Sequence, residues 1–232
     1  MTSTPNSIRV IFGVLLLSVP ALLAWAAVPR FVFGLGTEGA HRLVLSATIG
    51  QSVPVESART AAAAFEHAPP GDGDDRAWGA EFLALAARGN PAILAQSRQL
   101  ADEALADAPT NPRAWTLLCA LEANRSPARG VACLDTGFPI ARYDWFTADW
   151  RMRLIAFEWP FLDETLRDSA TSLILPMWNT AQWTNGMTLR TALYDLSRSD
   201  NGRQLLRAGL IADRETLRSF NRFVIEERID GR

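Results

Sequence analysis

An all-α chain is predicted, with an N-terminal transmembrane helix followed by a solenoid of stacked helical hairpins. Three observations predict it. Residues 10–28 carry no charge, apolar residues beyond 55 recur at helical and not alternating spacing, and an Arg-Ala-Trp triplet returns 37 residues after its first appearance. The composition agrees with a folded body. The chain has 232 residues, 48% hydrophobic and 21% charged, which suits one large domain or two small ones around a sizeable core.

The N-terminal run VIFGVLLLSVPALLAWAAV would span roughly 28 Å as a helix, close to the hydrocarbon thickness of a bilayer. Arg9 and Arg30 bracket it, Trp25 sits where an interfacial aromatic belongs, and a membrane helix tolerates Pro20. A signal peptide is the competing reading, because Ala24-Trp25-Ala26 fits a small-x-small cleavage site. A third places the run in a buried core helix. The expected organisation is a tail at 1–9, the anchor or signal peptide at 10–28, a linker at 29–54 and a helical domain at 55–232. The flanking charges are nearly balanced, and a short tail carrying Arg9 ordinarily stays inside. Residues 30–232 are therefore expected on the export side of a single-pass inner-membrane protein, in a bacterium the periplasm.

Cys119 and Cys133 lie on either side of the turn signal Asn124-Arg125-Ser126-Pro127. If the flanking segments are antiparallel helices, the two cysteines stand at one height, within disulfide reach, and an oxidising compartment would join them. Two small buried thiols in a helix seam remain the other reading.

The elements follow in order. The stretch 31–54 contains Gly34, Gly36, Gly39 and Gly50 and reads as a membrane-proximal linker or a loosely docked segment that includes His41. A helix at 55–68 stops at Pro69-Pro70, and Gly71-Asp72-Gly73-Asp74-Asp75 breaks the chain before capping acids. Arg76-Ala77-Trp78 and Arg113-Ala114-Trp115 each open a helix, and Pro91 opens another between them with Ile93, Ser97, Leu100, Ala104 and Ala108 on one stripe. A helix over 141–159 is expected to turn Tyr143, Phe146, Trp150, Leu154 and Phe157 inward on one face and Trp145, Met152, Ala156 and Trp159 on another. Helices at 163–175, 187–198, 202–208 and 213–229 complete the chain. The last presents Leu217, Phe220 and Val224 inward and Arg218, Arg222 and Glu226 outward, as an end cap would.

The stretch ADEALADAPTNPRAWTLLCALEAN resembles a junction between two tetratricopeptide repeats. Ala101, Ala104 and Pro109 stand at that family's apolar, small and helix-ending positions. Trp115 and Leu118 match the residues that open the next unit, with Cys119 in place of a small one. Glu81 and Phe82 depart from the pattern, and so does the short unit after Pro127; the resemblance covers about 75–134. It implies stacked hairpins that bind a protein partner. The Arg-rich composition and the segment WRMRLIAFEWPFLDETLR, starting at Trp150, are similar to membrane-anchored accessory proteins of bacterial surface-polysaccharide synthesis and export clusters. That similarity implies a scaffold or accessory factor, the alternative being an accessory or maturation factor of another periplasmic complex.

The chemistry carried by the chain is sparse. The net charge of −2 argues against a nucleic-acid partner. All 23 basic residues are Arg, so Schiff-base, P-loop-lysine and Ser–Lys mechanisms are excluded. Two His and two Cys make a multi-ligand metal site an unpromising reading. Asp72 and Asp74 fail the calcium-loop pattern at Arg76 and Ala77, and Ser199-Asp200-Asn201 reads as a turn before a helix. Glu158 and Asp163 flank the Trp159-Pro160 turn as an acid and a base would, the basis of a carbohydrate-active alternative, although such pairs are common. No catalytic residue, cofactor or metal is assigned. Five of the eight tryptophans fall within 145–183, either as core or as a recognition surface. The candidate partner-binding residues are Trp178 and Trp183, expected to be exposed, together with Trp145 and Arg151.

Overall fold

The computed structural model of the protein describes residues 5–48, 51–180, 183–184 and 187–230, and the side chains of 5–17, 20, 26, 141, 183, 184, 229 and 230 lie outside that description. The described chain is all-helical. Its first half comprises α1 (Pro5–Gly36), α2 (Glu38–Thr48), α3 (Val55–Phe65), α4 (Gly73–Ala87), α5 (Pro91–Asp107), α6 (Pro112–Ala123) and α7 (Pro127–Ala141). Then come α8 (Ala148–Glu158), a 3-10 turn (Trp159–Phe161), α9 (Glu164–Asn179), α10 (Leu189–Leu196), α11 (Asp200–Leu210) and α12 (Arg214–Asp230). Two short strands, β1 (Trp183–Thr184) and β2 (Met187–Thr188), pair antiparallel just before α10.

Local sequence sets the helix starts. Asn90-Pro91, Asn111-Pro112 and Ser126-Pro127 each place a capping side chain before a proline whose missing N–H costs nothing in the first turn. Asn90 accepts from the Ala92 N–H at 3.0 Å, Asn111 from Ala114 at 2.9 Å and Ser126 from Arg129 at 3.3 Å. Asp163, Thr188 and Ser199 cap α9, α10 and α11 in the same way.

From α3 to α7 each helix packs on its chain neighbour, and α4 also touches α6 as α6 touches α8. Connections this short make neighbouring helices antiparallel, so alternate helices lie side by side. Small residues set how closely they approach. Ala77, Ala104 and Ala114 meet with no exposed surface, which puts the two triplet alanines in one contact. A Cβ on Gly79 would come within 2.9 Å of Phe65 Cβ and 3.0 Å of Leu100 Cδ2, because α3 and α5 converge on that residue. Polar straps bind the same helices. Arg76 pairs with Asp107 and donates to the Ala68 carbonyl, the Asn111 amide donates to Asp74, and Arg113 pairs with Glu81 while its guanidinium lies 3.4 Å above the Trp78 ring.

The triplet tryptophans themselves differ in surroundings. Trp78 leans on Phe82 and the α3–α4 core, whereas Trp115 donates to the Pro109 carbonyl at 2.8 Å and rests on Gly137 of α7.

Several sequence expectations need correcting. The 29–54 linker is largely helical, and Phe33, Ala40, Leu43 and Val44 pack onto the α3–α4 core. The helix expected over 141–159 begins only at Ala148, because Asp144 accepts from both the N–H and the hydroxyl of Thr147 and turns the chain there. Tyr143, Phe146 and Phe157 are accordingly exposed, while Met152, Ala156 and Trp159 are buried. Helix α9 runs through Pro176 to Asn179, beyond its expected end. Helix α12 has two faces, with Phe220 buried, Leu217 and Val224 half-buried, and Arg218, Arg222 and Glu226 exposed. Among the described residues no helix is long and apolar enough to cross a membrane, and the side chains of 10–17, much of the expected span, lie outside them.

Helices α9 and α11 also touch through a glycine. A Cβ on Gly209 would stand 2.6 Å from Ile174 Cβ and 2.8 Å from the Thr171 carbonyl oxygen. Gly209→Ala should therefore destabilise the protein by about 1–3 kcal/mol through overpacking. Gly39→Ala in α2, where nothing lies within 4 Å, should be neutral or slightly stabilising. Thermal melts of both variants, followed by helical circular dichroism, check the opposite signs.

Candidate functional site

Helix α8 occupies the middle of the body, enclosed by α6, α7, α10 and α11. Of its residues only Arg153 and Phe157 are exposed and Trp150 is half-buried; the rest are buried. Enclosure carries ionisable groups inward with the apolar ones. Arg151 is 3% exposed; it donates from Nη2 to the Asp144 carbonyl, while Nε and Nη1 have no hydrogen-bond partner among the described residues. Burial pulls its pKa down to about 10 against the opposing charges of Asp144 and Asp149. Glu158 has no exposed surface, neither carboxylate oxygen has a hydrogen-bond partner among the described residues, and burial pushes its pKa above the usual carboxylate range. Its Oε1 faces Gly130 of α7, where an added Cβ would lie 3.2 Å away.

The residues singled out by sequence do not assemble into a surface. Trp178 is 5% exposed, which corrects the expectation of an exposed side chain. Because α9 continues through Pro176, Trp178 falls on its buried face, and the α12 rings of Phe220 and Phe223 meet it edge-on at 5.5 Å. The Arg190 guanidinium covers it at 4.8 Å and donates to its carbonyl at 2.8 Å. Arg151 is interior, and Trp145 is half-buried against the main core. The Trp183 side chain lies outside the described residues. Glu158 is enclosed, and Asp163 spends Oδ1 accepting from the Leu166 N–H at 2.8 Å, so the geometry presents no acid–base pair to a substrate. His41 belongs to α2, where Nε2 lies 3.1 Å from Asp75 and the ring meets Phe65 edge-on. Among the described residues no group of three or more His, Cys, Asp or Glu could hold a metal ion.

Cys119 of α6 and Cys133 of α7 are joined by a disulfide, with Cα atoms 5.1 Å apart. The hairpin turn at Asn124 and Arg125 brings them level, and Gly130 lets the two backbones close to contact at Ala123.

What α8 does show to solvent is the rim of a cleft. Arg153 and Phe157, four residues apart, face the end of α10 and the start of α11 across about 640 Å³. Arg153 reaches Asp195 at 3.0 Å and Arg198 approaches the same carboxylate at 3.9 Å. Phe157 is 64% exposed beside them, and Ser199 spends its hydroxyl capping α11. The cleft presents two guanidiniums, the carboxylates of Asp195 and Asp200 and an open aromatic face, with no activated nucleophile among the described residues that line it. Sequence reasoning missed Phe157 because it was assigned to an inward stripe. Its i,i+4 spacing from the charged Arg153, which places the two on one side of the helix, was the available signal.

The buried acid gives a signed pH dependence. A carboxyl whose folded pKa lies above its unfolded value contributes fully to stability below the unfolded pKa and loses that contribution as pH rises through the folded pKa. Glu158→Gln should therefore raise the melting temperature by a few degrees at pH 7–8 and change it little at pH 4–5. Melts of the two proteins across that range check it. Reducing the disulfide, which closes a 14-residue separation, should cost about 3 kcal/mol; denaturant titration with and without dithiothreitol measures the loss. In the comparisons with known proteins, no family model, curated protein or solved structure matches the chain.

Proposed function

We propose that the chain is a membrane-tethered, export-side scaffold of tetratricopeptide-like helical hairpins that binds a protein partner. The observation that carries the reading is the exposed surface of α1. Val19, Leu22, Leu23, Trp25, Val28, Phe31, Val32 and Leu35 are 51–79% exposed. At 100° per residue these side chains point in every direction around the helix, so no single packing partner could cover them, whereas a lipid phase would. They continue the uncharged run that starts at residue 10.

The remaining support comes from the body. Arg30 reaches Asp72 at 4.0 Å and the Pro70 carbonyl at 3.4 Å, which docks the end of α1 at the start of α4. The disulfide fits an oxidising compartment, in a bacterium the periplasm. Ala101, Ala104 and Ala114 are fully buried where stacked hairpins of this kind need small residues. The cleft beside Phe157 offers a recognition surface and no reactive group. Such a scaffold raises the effective concentration of its partner at the bilayer. Surface-polysaccharide synthesis or export is the setting that the resemblance of 150–167 implies.

The reading is tested in cells. The full chain should sediment with membranes and resist carbonate extraction, whereas Leu22→Arg/Leu23→Arg should be lost from that fraction. A photoreactive residue in place of Phe157 should form a discrete crosslinked adduct, and one in place of Ile211, also exposed, should not. Carbonate release of the wild type overturns the tether, and absence of any adduct overturns the scaffold.

A further inference from the structure

A second cleft, of about 370 Å³, opens between the start of α5 and the end of α6. Its apolar wall is formed by Pro91, Leu94 and Leu121, and its polar edge by Arg98 and Arg125. Beside that edge three arginines surround one carboxylate. Arg98 donates from Nε to Glu122, Arg125 lies 3.4 Å from the same oxygen, and Arg129 of α7 stands 3.6 Å from the other. The Glu122 side chain is 11% exposed, whereas those of Arg98, Arg125 and Arg129 are 41%, 54% and 57% exposed. Asp102, 3.3 Å from Arg98, is the other carboxylate in the cluster.

The charges in this cluster do not balance. Three guanidiniums face two carboxylates, and each guanidinium carries five N–H donors. Although burial pushes the Glu122 pKa up, the hydrogen bond and charge of Arg98, with Arg125 and Arg129 behind them, hold it below the usual range. Glu122 is therefore an anion that accepts from Arg98 and Arg125 at one oxygen and has Arg129 beside the other. The Arg125 and Arg129 side chains are more than half exposed beside an apolar wall, and Glu122 draws them together in advance.

We propose that this cleft is the docking site for an acidic segment of a partner protein, one that places a carboxylate on Arg125 and Arg129 and a neighbouring bulky apolar side chain against Leu94 and Leu121. The inference rests on the scaffold reading above and names the chemistry of one partner. A protein segment is favoured over a lipid headgroup by position. Arg30 fixes the end of α1 at the start of α4, and the cleft begins at Pro91, just past the other end of that 15-residue helix. A helix of that length is about 22 Å long, so the cleft lies at the end of the hairpins away from the tether.

The test uses the full chain in zwitterionic nanodiscs on an array of dodecapeptides of mixed composition, with phosphorylated peptides and phosphatidylglycerol vesicles as separate arms. Bound peptides should be enriched in those with Asp or Glu within three residues of Leu, Ile, Phe or Trp. Affinity for the best of them should fall at least tenfold in Arg125→Gln/Arg129→Gln, and the Gln/Asn version of that peptide should not bind. Both arginines are half-exposed and Arg98 stays to satisfy Glu122, so an unchanged melting temperature shows that the variant is folded. No enrichment, undiminished binding by the variant, or preference for phosphopeptides or vesicles overturns the proposal. If the array is silent while the Phe157 adduct still forms, this inference fails and the scaffold reading stands; if both are silent, both fail.

Discussion

Helix α8 is closed in by α6, α7, α10 and α11, and that enclosure takes Asp149, Arg151 and Glu158 out of water along with the apolar residues between them. The rest of the body is arranged around this constraint. A helix with a single apolar stripe could stay at an edge and keep its charges wet, but α8 needs contacts on nearly its whole circumference. The two halves of the chain meet on it, through α6 and α7 from the first and α10 and α11 from the second. The cost falls on the ionisable groups. Arg151 keeps its charge with a carbonyl and the nearby charges of Asp144 and Asp149, while Glu158 is shifted toward its neutral form. Buried groups of this kind add little net stability and restrict the packings that the chain can adopt.

Around α8 the hairpins are built by repetition. An Asn or Ser followed by Pro begins α5, α6 and α7, and each cap satisfies a backbone donor that would otherwise be orphaned. Alanine and glycine at the crossings bring the helices to contact distance, and half-buried Arg–carboxylate pairs lock their order. These pairs join different helices and are largely buried, unlike the exposed i,i+3 and i,i+4 pairs of Arg59 and Arg42, whose contribution is small. The disulfide then fixes α6 against α7 beside the hub.

Two features stand apart along the body. At one end, α1 leaves the body with exposed apolar side chains on every side, and Arg30 ties its base to the turn before α4. About one helix length away, the ends of α5 and α6 hold arginines in excess over carboxylates beside an apolar cleft.

Much of the fold was legible in residue order, and less of the candidate site. Caps, prolines and glycine breaks are local chemistry, so the starts of α5, α6, α7 and α9 and the two-faced cap α12 could be read directly. The level placement of Cys119 and Cys133 follows from their symmetric distances about one turn. Tertiary structure alone decided which side chains of α8 and α9 face solvent. Periodicity gives an angle around one helix, but it does not say which angles a distant helix will cover, and a helix apolar on several faces offers no single direction to read. Trp178 is buried because α12 lies over it, Glu158 because α7 closes at Gly130, and Phe157 is open because no described helix covers it. The arginine cluster at Glu122 has the same origin, since Arg98, Glu122 and Arg129 come from three helices and become neighbours only when the hairpins stack.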